Sequence, residues 1–364
     1  MKEIQIPSGM RDILPGNSIN KRHLQQKVEQ IFRLYGYLPI ETPLLEFYET
    51  YRSSFSRLEE DTLYKFVDEN GQILVLRTDM TLPIARVCAT RYSQEEPPFR
   101  FSYCSNVYKV RQSFAGKRNE VTDCGIELIG LDESSDLEVL NCALEVMAEL
   151  SEDHYVLEIG NIRLFRRACE IAGITEESAA VLSDLIDRKA MTEVKQMVDA
   201  LNLREEEKEF FRRLPLFNGP DSLTEAAEYC FAEELLEEIE HLQRLQEQLQ
   251  VLGSGDHITF DLGKVPHLEY YTGIIFEGYA QGISSAVLSG GRYDHLLAKL
   301  GRDLPAVGFG VKLDVLVPAV RDSQPEIQKV YYRRGEELQG ILKARELRKQ
   351  GPAVLIPEDT EGEV

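Results

Sequence analysis

Apolar residues recur at steps of three or four within residues 18–37. This spacing is typical of an amphipathic helix that packs one face on a core, and Gly36 predicts where the helix ends. Two β-rich runs follow at 63–67 and 73–76, with an Asn-Gly pair at 70–71 between them. Because Asn-Gly favours a tight hairpin turn, we predict that these runs pair as antiparallel strands.

Two longer β-rich runs occupy residues 99–110 and 121–129 and are separated by a polar, glycine-containing loop at 111–119. Strands that are joined by a loop of this kind usually return beside each other. We therefore predict that these two runs are antiparallel neighbours.

The pattern between residues 163 and 252 is helical, because Glu, Lys, Leu and Ala dominate there. We interpret this region as a helical insertion. Its last helix is predicted to begin at Ser222, where Glu225 completes a capping box, and to end at Gly253. The apolar positions of that helix recur at steps of three or four, at Leu235, Ile239, Leu242, Leu245, Leu249 and Leu252. This spacing favours a face on a core over a coenzyme or nucleic-acid site.

The β-rich pattern resumes after the insertion, at 257–262, 270–279, 284–288 and 306–311. Strands and helices are mixed rather than strictly alternating, which disfavours a doubly wound parallel sheet. The predicted fold class is α+β, with an antiparallel sheet that is flanked by helices and interrupted by a helical insertion.

The 364 residues include 41 Lys and Arg against 62 Asp and Glu, a formal net charge of −21. Such acidity opposes binding to nucleic-acid phosphates and favours a solubilising surface, although a local basic patch remains compatible with it. No run approaches the roughly 20 apolar residues of a membrane span, and the first residues lack the order of a signal peptide. We therefore expect a cytoplasmic protein that does not bind membranes.

The six cysteines show no close pair in the sequence; they are Cys88, Cys104, Cys124, Cys142, Cys169 and Cys230. This spacing favours neither a zinc site nor a dithiol redox site. We expect reduced, mostly buried thiols, and neither a metal nor a cofactor.

Six short motifs stand in the order in which the catalytic domain of histidyl-tRNA synthetase carries them. They are SGMRDILP (8–15), GYLPIETP (36–43), LRTDMT (76–81), CGIELIG (124–130), LEYYTG (268–273) and GGRYD (290–294). The chain resembles that family over residues 7–316, which implies the antiparallel sheet of a class II aminoacyl-tRNA synthetase. Pro43 resembles the proline of the family's first motif, and this implies a homodimer.

The resemblance implies a histidine pocket at Asp79, Thr81, Asp123, Glu127, Tyr270, Tyr271, Arg292 and Tyr293. The first three match positions that hold the amino group, while Glu127 and Tyr271 match positions that read the imidazole. Acidic acceptors and polar ring partners suit this amino acid. Asp79 and Asp123 replace the usual Glu and Gln. Taken singly, Tyr271 and Tyr293 also fit core packing, and Arg292 fits an ion pair.

The family's ATP-binding positions have changed in this chain. Arginine suits a triphosphate because its planar guanidinium makes paired hydrogen bonds to phosphate oxygens. Lys109 and Val315 replace arginines of the second and third motifs, Arg111 replaces an adenine-side Glu, and Pro266 replaces the arginine that meets the carboxylate. We therefore expect no amino-acid activation and no catalytic residue. The alternative is compensation by nearby cations, at Lys109, Arg111, Lys117, Arg118 or Lys312.

The resemblance ends near Leu316, and the remaining 48 residues are too few for an anticodon-binding domain of about 100 residues. We divide the chain into a synthetase-like domain at 1–320, which contains the insertion at 163–252, and a short segment at 321–364. Within that segment we predict a basic helix at 335–349 between two strands, at 328–332 and 353–356.

A histidine pocket without activation chemistry resembles the regulatory subunits of ATP phosphoribosyltransferase, the enzyme that opens histidine biosynthesis. This resemblance implies the short catalytic subunit as partner, a hetero-octamer built on homodimers, and histidine as effector, without tRNA binding. Two alternatives stay open. One is an active synthetase-like enzyme, and the other is a free-standing module that binds RNA or protein through the basic helix.

Overall fold

The computed structural model describes residues 5–55, 58, 60–111, 118–151, 154–266, 270–317 and 327–358. In chain order, the helices among these residues are α1 (Pro15–Leu34), α2 (Tyr48–Ser54), α3 (Thr81–Thr90), α4 (Asp136–Ser151), α5 (Ile162–Ile171), α6 (Glu176–Asp187), α7 (Met191–Ala200), α8 (Glu205–Arg213), α9 (Ser222–Tyr229), α10 (Glu233–Val251), α11 (Leu296–Lys299), α12 (Leu313–Leu316) and α13 (Glu337–Leu347). None of these described helices combines the length and apolarity needed to cross a bilayer.

The strands among the same residues are β1 (Leu38–Pro39), β2 (Leu45–Phe47), β3 (Lys65–Val67), β4 (Ile73–Leu76), β5 (Phe99–Tyr108), β6 (Glu120–Ile129), β7 (Tyr155–Asn161), β8 (Asn218–Gly219), β9 (Ile258–Asp261), β10 (Ile274–Ala280), β11 (Leu288–Arg292), β12 (Ala306–Lys312), β13 (Gln328–Tyr332) and β14 (Ala353–Pro357). In the described chain, nine of them form one sheet in the order β1-β5-β6-β12-β11-β10-β7-β9-β8. Its central strands are antiparallel, and β1–β5 and β7–β9 are parallel pairs towards the two ends. The predicted α+β class is confirmed.

Local patterns predicted several elements correctly. β5 and β6 pair antiparallel over their whole length, from Phe99 opposite Ile129 to Tyr108 opposite Glu120. β3 and β4 form the predicted hairpin, and α1 is followed by Gly36 in the left-handed conformation, with a φ of 78°. The strands and the helix of the C-terminal segment are also confirmed as β13, α13 and β14.

The predicted last helix of the insertion is wrong as a single element. Residues 230–232 leave the helical conformation between α9 and α10, and the ring of Phe231 packs 5.4 Å from Phe210 and 6.3 Å from Phe211. The capping box is also wrong, because the Ser222 hydroxyl donates to the Gly219 carbonyl oxygen. The predicted apolar face of α10 is buried, except that Leu252 lies beyond the helix and is exposed.

The strand that was predicted at 284–288 lies further along the chain, as β11 at 288–292. The prediction missed the position of this strand because it contains Gly290 and Gly291, and glycine normally weakens a strand. Here the glycines are required by close packing. A Cβ at Gly290 would lie 2.4 Å from the Gly308 carbonyl oxygen, and one at Gly291 would lie 2.6 Å from that of Ile274.

The expectation of reduced thiols is wrong for Cys104 and Cys124, which form a disulfide. The two residues are 20 positions apart in sequence but face each other across β5 and β6. Directly opposed residues of antiparallel strands have neighbouring Cβ atoms, which sequence spacing does not reveal. The other cysteines are free thiols, and all of them except Cys230 are fully buried.

The two faces of the large sheet pack against different residues. One face carries Cys124, Ile126 and Leu128 into the main core, which continues through α4 and the helices of the insertion. The other face borders a second, smaller core that includes Phe101 and Tyr293. The cleft that holds the candidate site opens on this second face.

Candidate functional site

Strand glycines make room for acidic side chains in the cleft. β6 and β12 are neighbours there, with Glu127 opposite Gly308 in the register. A Cβ at Gly308 would lie 2.0 Å from Glu127 Oε2, and one at Gly310 would lie 2.6 Å from Asp123 Oδ1. Glycine at these two positions therefore admits both carboxylates to the cleft.

Glu127 is the most deeply buried acid of the cleft, with 2% of its surface exposed. The Thr81 hydroxyl donates to Oε1 at 2.7 Å, and the Tyr293 hydroxyl donates to Oε2. Burial raises the pKa of Glu127 to about 8, even though these two hydrogen bonds act in the opposite direction. The carboxyl group is therefore fixed in position and easily changes its charge when a cation approaches.

Asp79 and Asp123 lie beside Glu127 but differ in their partners. Asp79 accepts hydrogen bonds at 2.9 Å from the Leu82 amide and from the Thr78 hydroxyl. Asp123 Oδ1 is shielded from solvent and has no hydrogen-bond partner among the described residues. Burial raises the pKa of both carboxyls, that of Asp123 to about 7. A buried acceptor without a donor is rare in proteins, and a donor from outside the chain would satisfy this oxygen.

Tyrosine rings form the wall of this acidic region. Tyr270 stacks on Tyr293 with 5.5 Å between ring centroids and meets Tyr271 edge-on at 4.7 Å. Burial and the nearby Glu127 raise the pKa of Tyr271, so its hydroxyl stays protonated. We call Asp79, Thr81, Asp123, Glu127 and these three tyrosines the acidic half of the cleft.

Tyr103 also belongs to the acidic half, although sequence reasoning did not single it out. It lies opposite Gly125 in the register and is 5% exposed. A Cβ at Gly125 would lie 2.4 Å from its hydroxyl oxygen. The available signal was the alternation along β5, which places Phe101 and Tyr103 on the same face as Glu127.

The Arg292 guanidinium is fully used within the protein, as in the ion-pair alternative that the sequence left open. Its nitrogens donate to the carboxylates of Asp136 and Asp294 and to the Ser135 hydroxyl, and also to two backbone carbonyls. Only 1% of the residue is exposed. All five N–H donors of a guanidinium are thereby satisfied, and Arg292 positions the neighbouring Tyr293 rather than presenting a charge to the cleft.

The residues at the family's ATP positions form what we call the former nucleotide half: Lys109, Arg111, Pro266 and Val315. The backbone amides of Lys109 and Arg111 are held by Asn119, through its carbonyl oxygen and its side-chain oxygen respectively. Val315 packs against the main core as a partly buried residue. An aliphatic side chain in that environment has no donor to offer a phosphate.

Pro266 lines a cavity of about 330 Å³. The charged residues that line this cavity are Glu158, Asp187, Asp261, Glu277, Lys189 and Lys264. Lys264 Nζ lies 2.6 Å from Glu158 and 2.8 Å from Glu277, while Lys189 Nζ lies 2.7 Å from Asp261. Acids outnumber bases here, and both lysines are already paired.

Among the cations that the sequence offers as compensation for arginines, Arg118 is engaged elsewhere. It lies 3.7 Å from the buried carboxylate of Asp314, which Arg11 and Lys21 also approach. Lys117 lies outside the described residues. Among the described residues, no group of three or more His, Cys, Asp or Glu side chains is arranged to hold a metal ion.

The model of the histidyl-tRNA synthetase family matches residues 9–316. The chain belongs to this family. The histidyl-tRNA synthetase of Nostoc sp. PCC 7120 shares the fold, with a TM-score of 0.79 at 19% identity over 100% of this chain and 88% of that one. The synthetase-like fold that the motifs implied is therefore confirmed.

More similar members of the histidyl-tRNA synthetase family carry another name. The ATP phosphoribosyltransferase regulatory subunit of Acetivibrio thermocellus is 33% identical over 97% of this chain and 86% of that protein. The subunit of the same name from Clostridium kluyveri is 33% identical, covering 95% and 91%. A crystal structure from Bacillus halodurans, of an ATP phosphoribosyltransferase regulatory subunit/histidyl-tRNA synthetase, has a TM-score of 0.89 at 33% identity, covering 100% and 95%.

Proposed function

We propose that this chain is the regulatory, non-catalytic subunit of an ATP phosphoribosyltransferase in histidine biosynthesis, with histidine as its effector. The unpaired oxygen of Asp123, beside the fixed carboxyl of Glu127, is the observation that supports a cationic ligand most directly. The names of the relatives support the regulatory role.

Histidine fits the acidic half by charge and by donor count. Its ammonium group supplies donors for Asp79 and for the unpaired Asp123 oxygen, and its imidazole supplies an N–H for Glu127. Three buried carboxylates in one cleft repel one another unless a cation or protons compensate them. A bound ammonium would therefore replace protons that the empty cleft retains.

Adenylation is not expected from the former nucleotide half. A valine in a hydrophobic cluster and a proline beside an acidic cavity replace two arginines. Each donor that steadies developing charge contributes a few kcal/mol to a transition state. The same cleft can thus bind an amino acid without activating it.

We further propose that the building unit is a homodimer joined through the region that follows Pro43. Pro43 is exposed, and so are several apolar side chains of the small β2-β4-β3 sheet that comes after it: Leu45, Phe47, Phe66, Val67 and Ile73. Exposed apolar side chains that are grouped on one small sheet usually mark an interaction site. Copies of this chain and of the short catalytic subunit would then form a cytoplasmic hetero-octamer.

Histidine would favour an inhibited arrangement of that assembly. The coupling between two ligands is reciprocal in free energy, so substrates of the catalytic subunit should weaken histidine binding by the factor by which histidine weakens theirs. Mutual weakening of binding would therefore distinguish feedback inhibition from histidine binding that has no effect on the catalytic subunit.

Mixing with the short catalytic subunit tests the function. We expect a stoichiometric complex in size-exclusion chromatography, transfer of the phosphoribosyl group to ATP on mixing, and inhibition by histidine. A chain that neither forms the complex nor supports this activity would refute the regulatory role. Binding to RNA instead would favour the free-standing module, although the basic Arg348 and Lys349, which follow α13, already contact Ala353 and Glu346.

A further inference from the structure

The loss of the arginine at position 266 leaves open which group holds the carboxylate of the ligand. The cavity beside Pro266 is acidic, and its two lysines are held by Glu158, Glu277 and Asp261. A carboxylate placed there would have to break those ion pairs and approach their glutamates. The position that the family uses is therefore unsuitable in this chain.

Lys312 is a cation on the same face of the sheet, at the other end of β12 from the Glu127 contact. Gly308, Gly310 and Lys312 alternate along this strand, so all three positions face the cleft. Since the first two lack side chains, the carboxylates of Glu127 and Asp123 lie over them and line the floor of the cleft up to Lys312.

The register places Lys312 directly opposite Asp123, and Glu127 opposite Gly308. Four residues along a strand separate the Cα atoms of positions 308 and 312 by about 13 Å. Glu127, which would meet the imidazole, and Lys312, which supplies the cation, therefore lie at opposite ends of the cleft floor. Asp123, which would meet the ammonium group, lies beside Lys312. The order Glu127, Asp123, Lys312 therefore matches the order of imidazole, ammonium and carboxylate along histidine.

Lys312 is available for a ligand. Its residue is half-buried, and within the described residues its ammonium group forms neither a hydrogen bond nor an ion pair. Its charge nevertheless reaches the cleft. Burial raises the pKa of Asp123, and Lys312 acts against that rise. Lys312 also helps Lys264 to lower the pKa of Glu277 against the effect of burial.

We infer that Lys312 replaces the lost arginine as the group that binds the carboxylate of the ligand and selects a zwitterionic amino acid. The inference rests on the proposed histidine pocket. On this inference, the group that binds the carboxylate has moved from position 266 to the end of β12.

Calorimetry with two ligands tests this selection. Histidine and histidinol differ in that a hydroxymethyl group replaces the carboxylate, so their affinity ratio reports the carboxylate contact. We expect the unmodified chain to prefer histidine by at least about tenfold, the effect of one charge-assisted hydrogen bond. Lys312→Met should weaken histidine binding by about that factor and should leave the affinity for histidinol unchanged or increase it. Lys312→Arg should keep the preference for histidine.

Lys329→Met, at an exposed position of β13, is the matched control and should bind as the unmodified chain does. Melting curves of all variants should coincide, which separates lost contacts from lost folding. Equal affinity of the unmodified chain for both ligands, or an unchanged ratio in Lys312→Met, would overturn the role of Lys312 but leave the histidine pocket standing. Binding of neither ligand by the unmodified chain would overturn the pocket and this inference together.

Discussion

The acidic half and the former nucleotide half of the cleft share one sheet but treat charge in opposite ways. In the acidic half, Glu127 is held by two hydroxyl donors, and an oxygen of Asp123 is kept dry and unpaired. In the former nucleotide half, Val315 joins the core, and Arg118, outside that half, pairs with Asp314. We propose that the first half binds a cationic group and that the second lacks the guanidinium groups that a triphosphate requires. On this proposal, recognition of an amino acid and its activation are separable on this fold.

The largest expected effect comes from neutralising the centre of the acidic half. Glu127→Gln keeps the shape but removes the charge that meets the ligand's imidazole. Loss of one partner from a buried charge pair costs about 2–5 kcal/mol, so histidine affinity should fall at least about thirtyfold in calorimetry. Glu145→Gln, which alters a carboxylate bonded to Tyr35 on the surface, should bind normally. Equal binding by both variants would remove Glu127 from the site.

A side chain added at Gly308 should displace the Glu127 carboxyl group from its position in the acidic half. A methyl group at Gly308 would lie 2.0 Å from Glu127 Oε2 and 2.4 Å from the Ile126 carbonyl oxygen. Gly308→Ala should therefore lower the free energy of unfolding by about 1–3 kcal/mol and weaken histidine binding. Gly351→Ala, where nothing lies within 4 Å, is the control. Similar denaturation midpoints for the two variants would contradict the close packing.

An arginine that is restored to the former nucleotide half should lower the free energy of unfolding without creating amino-acid activation. Val315→Arg places a guanidinium against the main core, and we expect a loss of about 1–2 kcal/mol of stability in urea denaturation. Val315→Leu should be better tolerated. Gain of histidine-dependent pyrophosphate exchange in Val315→Arg would show that one residue separates the two halves, against our expectation that several do.

The smallest effect concerns protons. Burial raises the pKa of Asp123 to about 7 and that of Glu127 to about 8, so the empty cleft binds protons near neutral pH. A cationic ligand favours the ionised carboxyls, and binding at pH 7 should release about one proton. Calorimetry in buffers of different ionisation enthalpy measures this number. Uptake of protons, or no buffer dependence, would contradict the buried acids.

The same raised pKa values predict how the ligand-free protein responds to pH. Carboxyls whose pKa is raised by folding stabilise the protein below their ordinary pKa, and this contribution is lost as pH rises through about 7 and 8. Thermal stability without ligand should therefore fall as pH rises from about 4, the ordinary pKa of a carboxyl, to about 8. Glu127→Gln should flatten the decline, which melting curves at several pH values would detect.

Sequence alone predicted those elements whose signal is local. The Asn-Gly hairpin and the paired β5 and β6 follow from turn chemistry and alternation. β11 was misplaced because Gly290 and Gly291 satisfy close packing against distant strands. The break between α9 and α10 depends on aromatic contacts of Phe231 with α8, which no window of neighbouring residues contains.

The site was predictable in composition but not in the use of each side chain. Family motifs pointed to Glu127 and Asp123, and the structure brings Glu127 together with Thr81 and Tyr293. The same motifs could not indicate that the Arg292 guanidinium donates hydrogen bonds to residues more than 150 positions away in sequence. Nor could they reveal the disulfide, which depends on the register of two strands.

Histidine-dependent exchange of pyrophosphate into ATP tests the central claim most directly. The purified chain would be assayed at a histidine concentration that saturates its pocket in calorimetry, beside an active histidyl-tRNA synthetase. We predict full histidine binding with exchange at the background rate, because the acidic half is intact and the former nucleotide half is not. Exchange at a rate comparable to that of the synthetase would contradict this account.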